Sequence, residues 1–396
     1  MSRQSSILIA LSFVAFISLG LPDGLLGVAW PGIRNTFALP LDALGLLVIF
    51  FTSGYMLASF FSGALIRHLG IGGLLSASCA TTAAALLIYA ITPVWWLFVL
   101  ASTIGGLGAG AIDAGINSYV DKNHSERVMQ WLHASFGIGV TLGPIIMTLG
   151  ITLTASWQAG YVFVVLAQAL LALVFLVTRN MWQGTVTVAQ VHDNVATEAP
   201  LIETIKTLPA LLSMFMFFIY VGVELGLGLW AYSLLTIARN IDPQVAGFVT
   251  GSYWAMFTIG RILAGWYTHR MTASAILYIS ILAAMVGTLI VAINMGTMIT
   301  ITGIALIGFS IAPIFPCLIS DTQYRVGPNH VTNTIGMQIA AAGFGGAVIP
   351  SLAGVLARIY SLEIVPYYLF VALLMLLASF MLSHHLSLKA ARQDCL

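Results

Sequence analysis

The sequence predicts an all-α membrane protein of twelve transmembrane helices, arranged as two pseudo-symmetric halves of six. Three observations support this fold class. Hydrophobic residues make up 60% of the 396 residues and charged residues only 7%, whereas a soluble protein carries about 25% charged residues to cover its surface. Apolar runs long enough to cross a bilayer recur along the whole chain. One long polar stretch near the middle divides these runs into two equal groups.

The apolar runs predict the individual helices. Their breaks fall at short polar or proline-bearing turns such as Thr92-Pro93 and Asp242-Pro243. The run after Arg3 is far longer than the hydrophobic region of a signal peptide, and no cleavage site ends it, so we interpret it as a helix of the mature chain. The predicted helices span residues 7–30, 44–66, 71–92, 94–120, 131–153, 157–179, 208–236, 243–267, 272–294, 296–320, 332–357 and 363–385.

The polar stretch predicts the division of the chain. We expect a first six-helix half at residues 1–179, a cytoplasmic linker at 180–206 and a second six-helix half at 207–396. Two six-helix halves joined by a polar linker are typical of the major facilitator fold.

The distribution of Lys and Arg predicts the orientation. With both termini in the cytoplasm, the inner side carries many more positive residues than the outer side, and Arg261 lies within the eighth helix. We therefore expect a bacterial inner-membrane protein with both termini inside. The inner residues are Arg3, Arg67, Lys122, Arg127, Arg179, Lys206, Arg270, Arg325, Lys389 and Arg392, and the outer ones are Arg34, Arg239 and Arg358.

Several function classes are disfavoured by the sequence. It has no Gly-x-x-x-x-Gly-Lys-Ser/Thr loop for ATP and no Ser-His-Asp or His-Glu-x-x-His pattern. Cys79, Cys317 and Cys395 lie far apart, without metal or disulfide spacing. A net charge of +1 gives no indication of nucleic-acid binding. We predict a monomeric protein that is not an enzyme and has no cofactor and no metal.

Two acidic residues of the first half are the candidate proton-coupling groups. Ionisable groups in the hydrocarbon zone are costly and usually face a water-filled cavity or a partner. Asp23 lies beside Pro22 in the first helix, where we expect a kink that lines the transport path. Asp113 lies in the fourth helix, four residues before Asn117 and thus on the same helix face. The alternatives are a carboxylate that meets water at the outer mouth for Asp23, and a structural ion pair for Asp113.

Glu224 is the third intramembrane acid and a candidate substrate ligand. Gly222, Gly226 and Gly228 surround it in the seventh helix, and we expect them to interrupt that helix. Broken helices commonly border the binding site of secondary transporters. A Glu at this place could accept hydrogen bonds from sugar hydroxyls or bind a coupling ion, and the alternative is a structural contact with a neighbouring helix.

Other polar and aromatic residues complete the candidate substrate site. Asn and Gln suit hydroxyl recognition because each amide offers donors and an acceptor. Aromatic rings can stack on sugars, although packing or a membrane-interface role is the common alternative. The candidates are Asn117, His133, Gln168, Gln338, Tyr253 and Trp254.

Four segments resemble the fucose–proton symporter family of the major facilitator superfamily, which includes glucose and galactose transporters. The most specific is Tyr220-Val221-Gly222-Val223-Glu224, similar to the family's Tyr-Val-Gly-x-Glu run. In the second segment, Asp113 stands where the family has Glu, and Ser118 where it has Pro. The resemblance implies that Asp23 and Asp113 face the central cavity and act in proton coupling and sugar binding. The segments are residues 218–226, 113–119, 345–350 and 315–320.

These patterns predict a proton-coupled symporter of a sugar or sugar-like polyol that works by alternating access. Its partners would be the small-molecule substrate, a coupling cation and the lipid bilayer. Two alternatives remain open at this point. One is an exporter of drugs or amphipathic metabolites with the same fold, and the other is a membrane receptor or scaffold that transports nothing.

Overall fold

The computed structural model describes residues 3–182, 199–267 and 270–393. Nearly all of this chain is helical. Residues 183–198, most of the predicted linker, lie outside the described residues, so the predicted boundaries of the halves stay predictions. The helices are α1 (Arg3–Thr36), α2 (Leu44–Ile91), α3 (Trp95–Asn123), α4 (Glu126–Thr154), α5 (Gln158–Thr178), α6 (Leu201–Thr204), α7 (Leu208–Ser233), α8 (Pro243–Tyr267), α9 (Ala273–Ile293), α10 (Thr297–Ile311), α11 (Ile314–Ser320), α12 (Thr322–Val326), α13 (Val331–Ile359) and α14 (Ile364–Gln393).

The helices of the described chain agree with the twelve predicted spans. Ten segments are long and apolar enough to cross a membrane. One of them, Leu41–Ile91, covers the second and third predicted spans. Gly70, whose φ is +69°, kinks α2 between these two spans. The remaining predicted span coincides with α8, at Pro243–Tyr267.

Local chemistry explains where two of the helices begin. At α8, Asp242 Oδ1 accepts hydrogen bonds from the backbone N–H of Gln244 at 2.8 Å and of Val245 at 3.2 Å. At α9, the Thr272 side chain accepts from the backbone N–H of Ala275. Each side chain satisfies a donor that has no partner within its helix. The predicted break at Asp242-Pro243 is therefore an N-terminal cap followed by proline, whose missing N–H costs nothing in the first turn.

The tenth predicted helix is divided in the structure. The sequence predicts one helix over residues 296–320, but α10 ends at Ile311 and α11 begins at Ile314. Pro313 lies at the break. It has no N–H to donate, and its ring crowds the preceding turn, which weakens the helix at this point.

The chain forms two compact units. The first contains α1 to α5 together with Ala231–Trp254. Within it, α2 packs along α3 and α5, and α1 packs against α4. Its core includes Leu8, Phe16, Leu75 and Ile116, all fully or almost fully buried. The second unit contains the described residues from Ala199 to Trp230 and from Ala255 onward. There α9 packs against α10 and α14, and the Trp230 Nε1 donates to Pro350 O at 2.9 Å.

Within the first unit, the beginning of α8 packs closely against α4. A Cβ atom built on Gly247 would lie 1.8 Å from Thr148 Oγ1 and 2.7 Å from Thr148 Cβ. One turn later, a Cβ on Gly251 would lie 3.2 Å from Ile145 Cγ1. The absence of a side chain at Gly247 therefore permits this close approach of the two helices.

We expect Gly247→Ala to lower the melting temperature in detergent, because the new Cβ overlaps Thr148 and overpacking costs about 1–3 kcal/mol. Thr148→Gly in the same chain removes the overlapping atoms and should restore part of the loss. Gly265→Ala is the matched control on the same helix, since a Cβ there meets nothing within 4 Å. Equal melting temperatures for the Gly247 and Gly265 variants would contradict the close packing of α8 on α4.

Candidate functional site

Asp113 is the centre of a polar group in the first unit. It lies on α3, the fourth predicted helix, and its Oδ1 accepts a hydrogen bond from Asn117 Nδ2 at 2.9 Å. The spacing of four residues predicted this shared face. Asp113 Oδ2 accepts a second hydrogen bond from the hydroxyl of Tyr55, on α2. Both carboxylate oxygens thus have a donor, which orients the group within the membrane-spanning part of the chain.

The packing of α2 on α3 brings Tyr55 to Asp113. A Cβ built on Gly110 would lie 2.3 Å from the backbone oxygen of Tyr55, so the two helices touch backbone to backbone at this level. Any side chain at Gly110 would separate them and lift the hydroxyl of Tyr55 away from Asp113. Sequence reasoning missed Tyr55, because it lies 58 residues before its partner and no local pattern marks it.

Asp23 lies near the same group. Helix α1 is continuous from Arg3 to Thr36 and contains both Pro22 and Pro31, so the helix does not end at Pro22, where we expect a kink. The carboxyl groups of Asp23 and Asp113 are close enough to interact electrostatically, and Asp23 also interacts electrostatically with the hydroxyl of Tyr55. All of these side chains remain partly accessible to solvent. We call Asp23, Tyr55, Asp113 and Asn117 the acidic cluster.

Glu224 lies in a second polar group, in the second unit. Its nearby charged partner is Arg261 on α8, and the hydroxyl of Tyr220, one helical turn before Glu224, lies close to both. The guanidinium of Arg261 also stacks over the ring of Phe257, with Cζ 4.3 Å from the ring centre. Its Nε is buried without a hydrogen-bond partner among the described residues. We call Tyr220, Glu224, Phe257 and Arg261 the counter-ion cluster.

Helix α7 is not interrupted around Glu224, so that expectation is wrong. The helix is continuous over Leu208–Ser233, and a wider π-type turn follows it at Leu234–Ala238. Glycines in a transmembrane helix keep their backbone hydrogen bonds, which the bilayer does not replace. Here Gly222 accommodates a neighbouring helix instead, because a Cβ there would lie 2.4 Å from Ile349 Cδ1 of α13.

Aromatic rings surround part of the counter-ion cluster. Phe315, at the start of α11, lies 6.1 Å from the ring of Tyr220 and 5.1 Å from the ring of Phe217. Tyr220 and Phe217 are fully buried, whereas Phe315 is half-buried. Phe315 is therefore the ring at this place that a bound molecule could reach.

The two candidate glutamines have partners within the protein. Gln338, on α13, is fully buried, and its Nε2 donates to Thr322 Oγ1 at 3.0 Å. Gln168, on α5, is also buried, and its Nε2 donates to Ser18 O of α1 at 2.8 Å. Each amide links two helices in this conformation.

The remaining candidates lie in the first unit. His133, near the start of α4, is exposed, and its ring meets that of Phe16 edge-on at 5.7 Å. Tyr253 and Trp254 are buried next to each other on α8, with ring centres 4.9 Å apart. In the described part of the chain, no group of three or more His, Cys, Asp and Glu side chains could hold a metal ion.

An ion pair lies just after the span that ends at Ser320. Arg325 Nη1 and Asp321 Oδ2 are 3.4 Å apart, and Arg325 Nη2 donates to Leu318 O. Burial lowers the pKa of Arg325 to about 10, although Asp321 opposes the shift. Burial also raises the pKa of Asp321, against the effects of Arg325 and His384. The pair fixes the turn between α11 and α12.

The family follows from comparison with known proteins. The model of the Major Facilitator Superfamily matches residues 10–350. The chain belongs to this superfamily. It is therefore an integral membrane transporter and not an enzyme, and the twelve-helix fold predicted from the sequence is confirmed.

Individual relatives are more distant. The chain is 24% identical to "Glucose/mannose transporter GlcP" of Bacillus subtilis, over 86% of either protein. It is 23% identical to "Sodium-dependent glucose transporter 1A" of Mus musculus, over 88% of this chain and 89% of that one. The crystal structure of FucP in the outward conformation superimposes with a TM-score of 0.63 at 16% identity, covering 96% of this transporter and 99% of FucP. The predicted resemblance is confirmed, and the structural match supports the fold.

Proposed function

We propose that the transporter is a proton-coupled symporter of a sugar or sugar-like polyol, working by alternating access. The observation that carries the proposal is the acidic cluster, in which two carboxyl groups share a membrane-embedded site with a tyrosine hydroxyl and an amide. Such a group offers both a place for a coupling proton and several hydrogen-bonding groups for hydroxyls.

The acidic cluster suits proton coupling for an electrostatic reason. Two negative charges at short range repel each other strongly where water is scarce. A proton on Asp113 or Asp23 relieves that repulsion, and its loss restores it. We assign Asp113 the coupling proton, because its hydrogen-bond partners Tyr55 and Asn117 are uncharged and a second acid, Asp23, lies near it; Asp23 is the second candidate.

The sugar assignment rests on chemistry and on the relatives. GlcP and the mouse relative carry names that describe glucose transport. Glu224 and Arg261 are half-buried and offer an acceptor and donors of hydrogen bonds, and the half-buried ring of Phe315 lies beside Tyr220 of the same cluster. Asn117 offers an amide in the first unit. We assign substrate binding to Asn117 and Glu224, with Gln338, Gln168, His133, Tyr253 and Trp254 as further candidates.

Sodium coupling is the second candidate function, because the mouse relative is named as sodium-dependent. Carboxylate, amide and hydroxyl oxygens are also ligands for hard cations. The acidic cluster contains all three kinds of oxygen, so the ion must be identified by an experiment. The distribution of Lys and Arg also supports an orientation in a bacterial inner membrane with both termini in the cytoplasm.

Uptake into proteoliposomes tests the proposal. Labelled glucose, mannose, galactose and fucose are offered with an inward proton gradient, with an inward sodium gradient, and with neither. We expect accumulation of at least one sugar above the outside concentration under the proton gradient alone, abolished by a protonophore. Accumulation that requires sodium would replace the proton with the second candidate. Failure of every sugar, together with gradient-driven extrusion of amphipathic dyes, would favour the exporter, and the absence of any transport would favour a receptor or scaffold.

A further inference from the structure

The short segment that precedes α7 has one face against the protein and another that is apolar and that no described residue covers. It comprises residues 199–208 and includes the single turn of helix α6. Further backbone hydrogen bonds, from Ile205 N to Leu201 O and from Thr207 N to Thr204 O, continue the turn toward α7. The segment therefore follows approximately helical spacing, with a turn at residues 205–207 between α6 and α7.

Hydrogen bonds fix one face of the segment to the loop before α13. Thr204 is fully buried, and its Oγ1 lies 2.9 Å from His330 Nδ1. Asn333 Nδ2 donates to Ala199 O at 2.8 Å, and the backbone N–H of Ala199 donates to Asn329 O at 3.0 Å. These bonds determine the rotation of the segment about its own axis, so its other faces have defined directions.

Large apolar side chains beside Thr204 on the same segment are exposed. Leu201 is 59% exposed, Ile202 63%, Ile205 40% and Leu208 50%. Positions 201, 205 and 208 are spaced by four and three residues and lie on one helix face. Glu203 and Lys206 are exposed as well, three residues apart on a separate face. The segment is thus amphipathic, and the described residues of the protein cover its Thr204 side.

The apolar face continues directly onto the membrane-spanning helix. Leu208 is the first residue of α7, and Leu211 and Phe215 further along the same helix are also exposed. Exposed apolar side chains on a membrane-spanning helix face lipid. The uncovered side of residues 201–208 therefore forms one surface with the lipid-facing side of α7.

We propose that residues 201–208 are an interfacial membrane anchor, in which Leu201, Ile202, Ile205 and Leu208 insert into one leaflet at the boundary between headgroups and acyl chains. Amphipathic helices with Leu and Ile on one face and charges on another bind at this depth. Glu203 and Lys206 remain among the headgroups and water. The Thr204 contacts hold the anchor against the loop before α13, so the end of the linker, that loop and the membrane surface form one connected unit. The proposal does not depend on the identity of the sugar.

Site-directed fluorescence tests the anchor in the full-length transporter. Ile202→Cys and Glu203→Cys are prepared in a Cys395→Ser background, labelled with the environment-sensitive dye NBD and reconstituted into vesicles. Cys79 and Cys317 are buried and give the labelling background, which is measured in the parent chain. We expect blue-shifted emission at position 202 that is quenched by lipids with a doxyl group near the headgroup. At position 203 we expect emission typical of water and weaker quenching.

Two further arms make the test decisive. Ile205→Cys repeats the measurement on the same face, in case the label at position 202 perturbs folding. Thr204→Ala removes the hydroxyl that holds the segment, and should reduce the difference between positions 202 and 203. Water-like emission at both 202 and 205 would overturn the proposal. Blue-shifted emission without doxyl quenching would also overturn it, because another part of the protein or a second copy would then cover the face.

Discussion

Replacing Asp113 with Asn should abolish sugar accumulation driven by a proton gradient, while sugar exchange across the membrane at equal concentrations continues. Asn has nearly the same shape as Asp and can still accept a hydrogen bond from Tyr55 and contact Asn117. It cannot bind and release a proton. The variant therefore keeps a sugar site that can alternate between the two sides, but loses the group that couples this movement to protons.

The measurement separates coupling from transport itself. Gradient-driven uptake and counterflow exchange are recorded on the same proteoliposomes, and we expect exchange within about tenfold of the parent rate, equivalent to about 1.4 kcal/mol. Asp121→Asn is the matched control, since Asp121 lies near the end of the same helix and is exposed. It should leave both activities unchanged. Full proton-driven accumulation by the Asp113 variant would exclude Asp113 as the coupling group, and Asp23→Asn would then be tested in the same way.

The fold was predictable because a bilayer imposes strong constraints on sequence. Spanning helices need about 20 apolar residues, and their polar ends appear as breaks in the pattern. The predicted span at 243–267 matches Pro243–Tyr267, and that at 272–294 matches Ala273–Ile293 to within one residue at each end. The differences occur where backbone chemistry acts locally. Pro313 divides the tenth predicted helix, whereas the glycines around Glu224 leave α7 intact.

The candidate site was predictable only where its contacts are local. Asp113 and Asn117 lie one turn apart on one helix, so their spacing indicates their bond. Tyr55 and Arg261 were not identified as site residues, since each meets its acid through the packing of two helices. Gln338 illustrates the converse. From the sequence, its amide could bind a substrate hydroxyl. In the folded protein, the amide instead donates a hydrogen bond to Thr322, 16 residues earlier in the chain.

The acidic and counter-ion clusters differ in the charge they carry, and this difference assigns them different tasks. Asp113 interacts with neutral donors and with a second acid, so its charge is open to change during transport. Glu224 interacts with the positively charged guanidinium of Arg261. An acid beside a permanent cation is a fixed hydrogen-bond acceptor. Accordingly, we expect Glu224 to position substrate and not to carry the coupling proton.

Arg261→Met should therefore destabilise the transporter severely, because it leaves Glu224 without its counter-charge inside the membrane-spanning region. Breaking a buried ion pair by removing one partner costs about 3–5 kcal/mol, whereas replacing both partners with neutral groups is often tolerated. We expect a large fall in the melting temperature and in the yield of folded protein for Arg261→Met. Adding Glu224→Gln should recover most of that loss while leaving sugar binding impaired.

Melting curves in detergent for the parent, Arg261→Met, Glu224→Gln and the double variant form a double-mutant cycle for this pair. The single variants should together lose more stability than the double variant, by a coupling energy of at least about 1 kcal/mol. Arg67→Met is the control for the loss of an arginine, since Arg67 is exposed where α2 approaches its kink. Strict additivity would show that Arg261 does not neutralise Glu224. In that case Glu224 would become a further candidate for the coupling site, and its Gln variant would lose proton-driven accumulation as Asp113→Asn does.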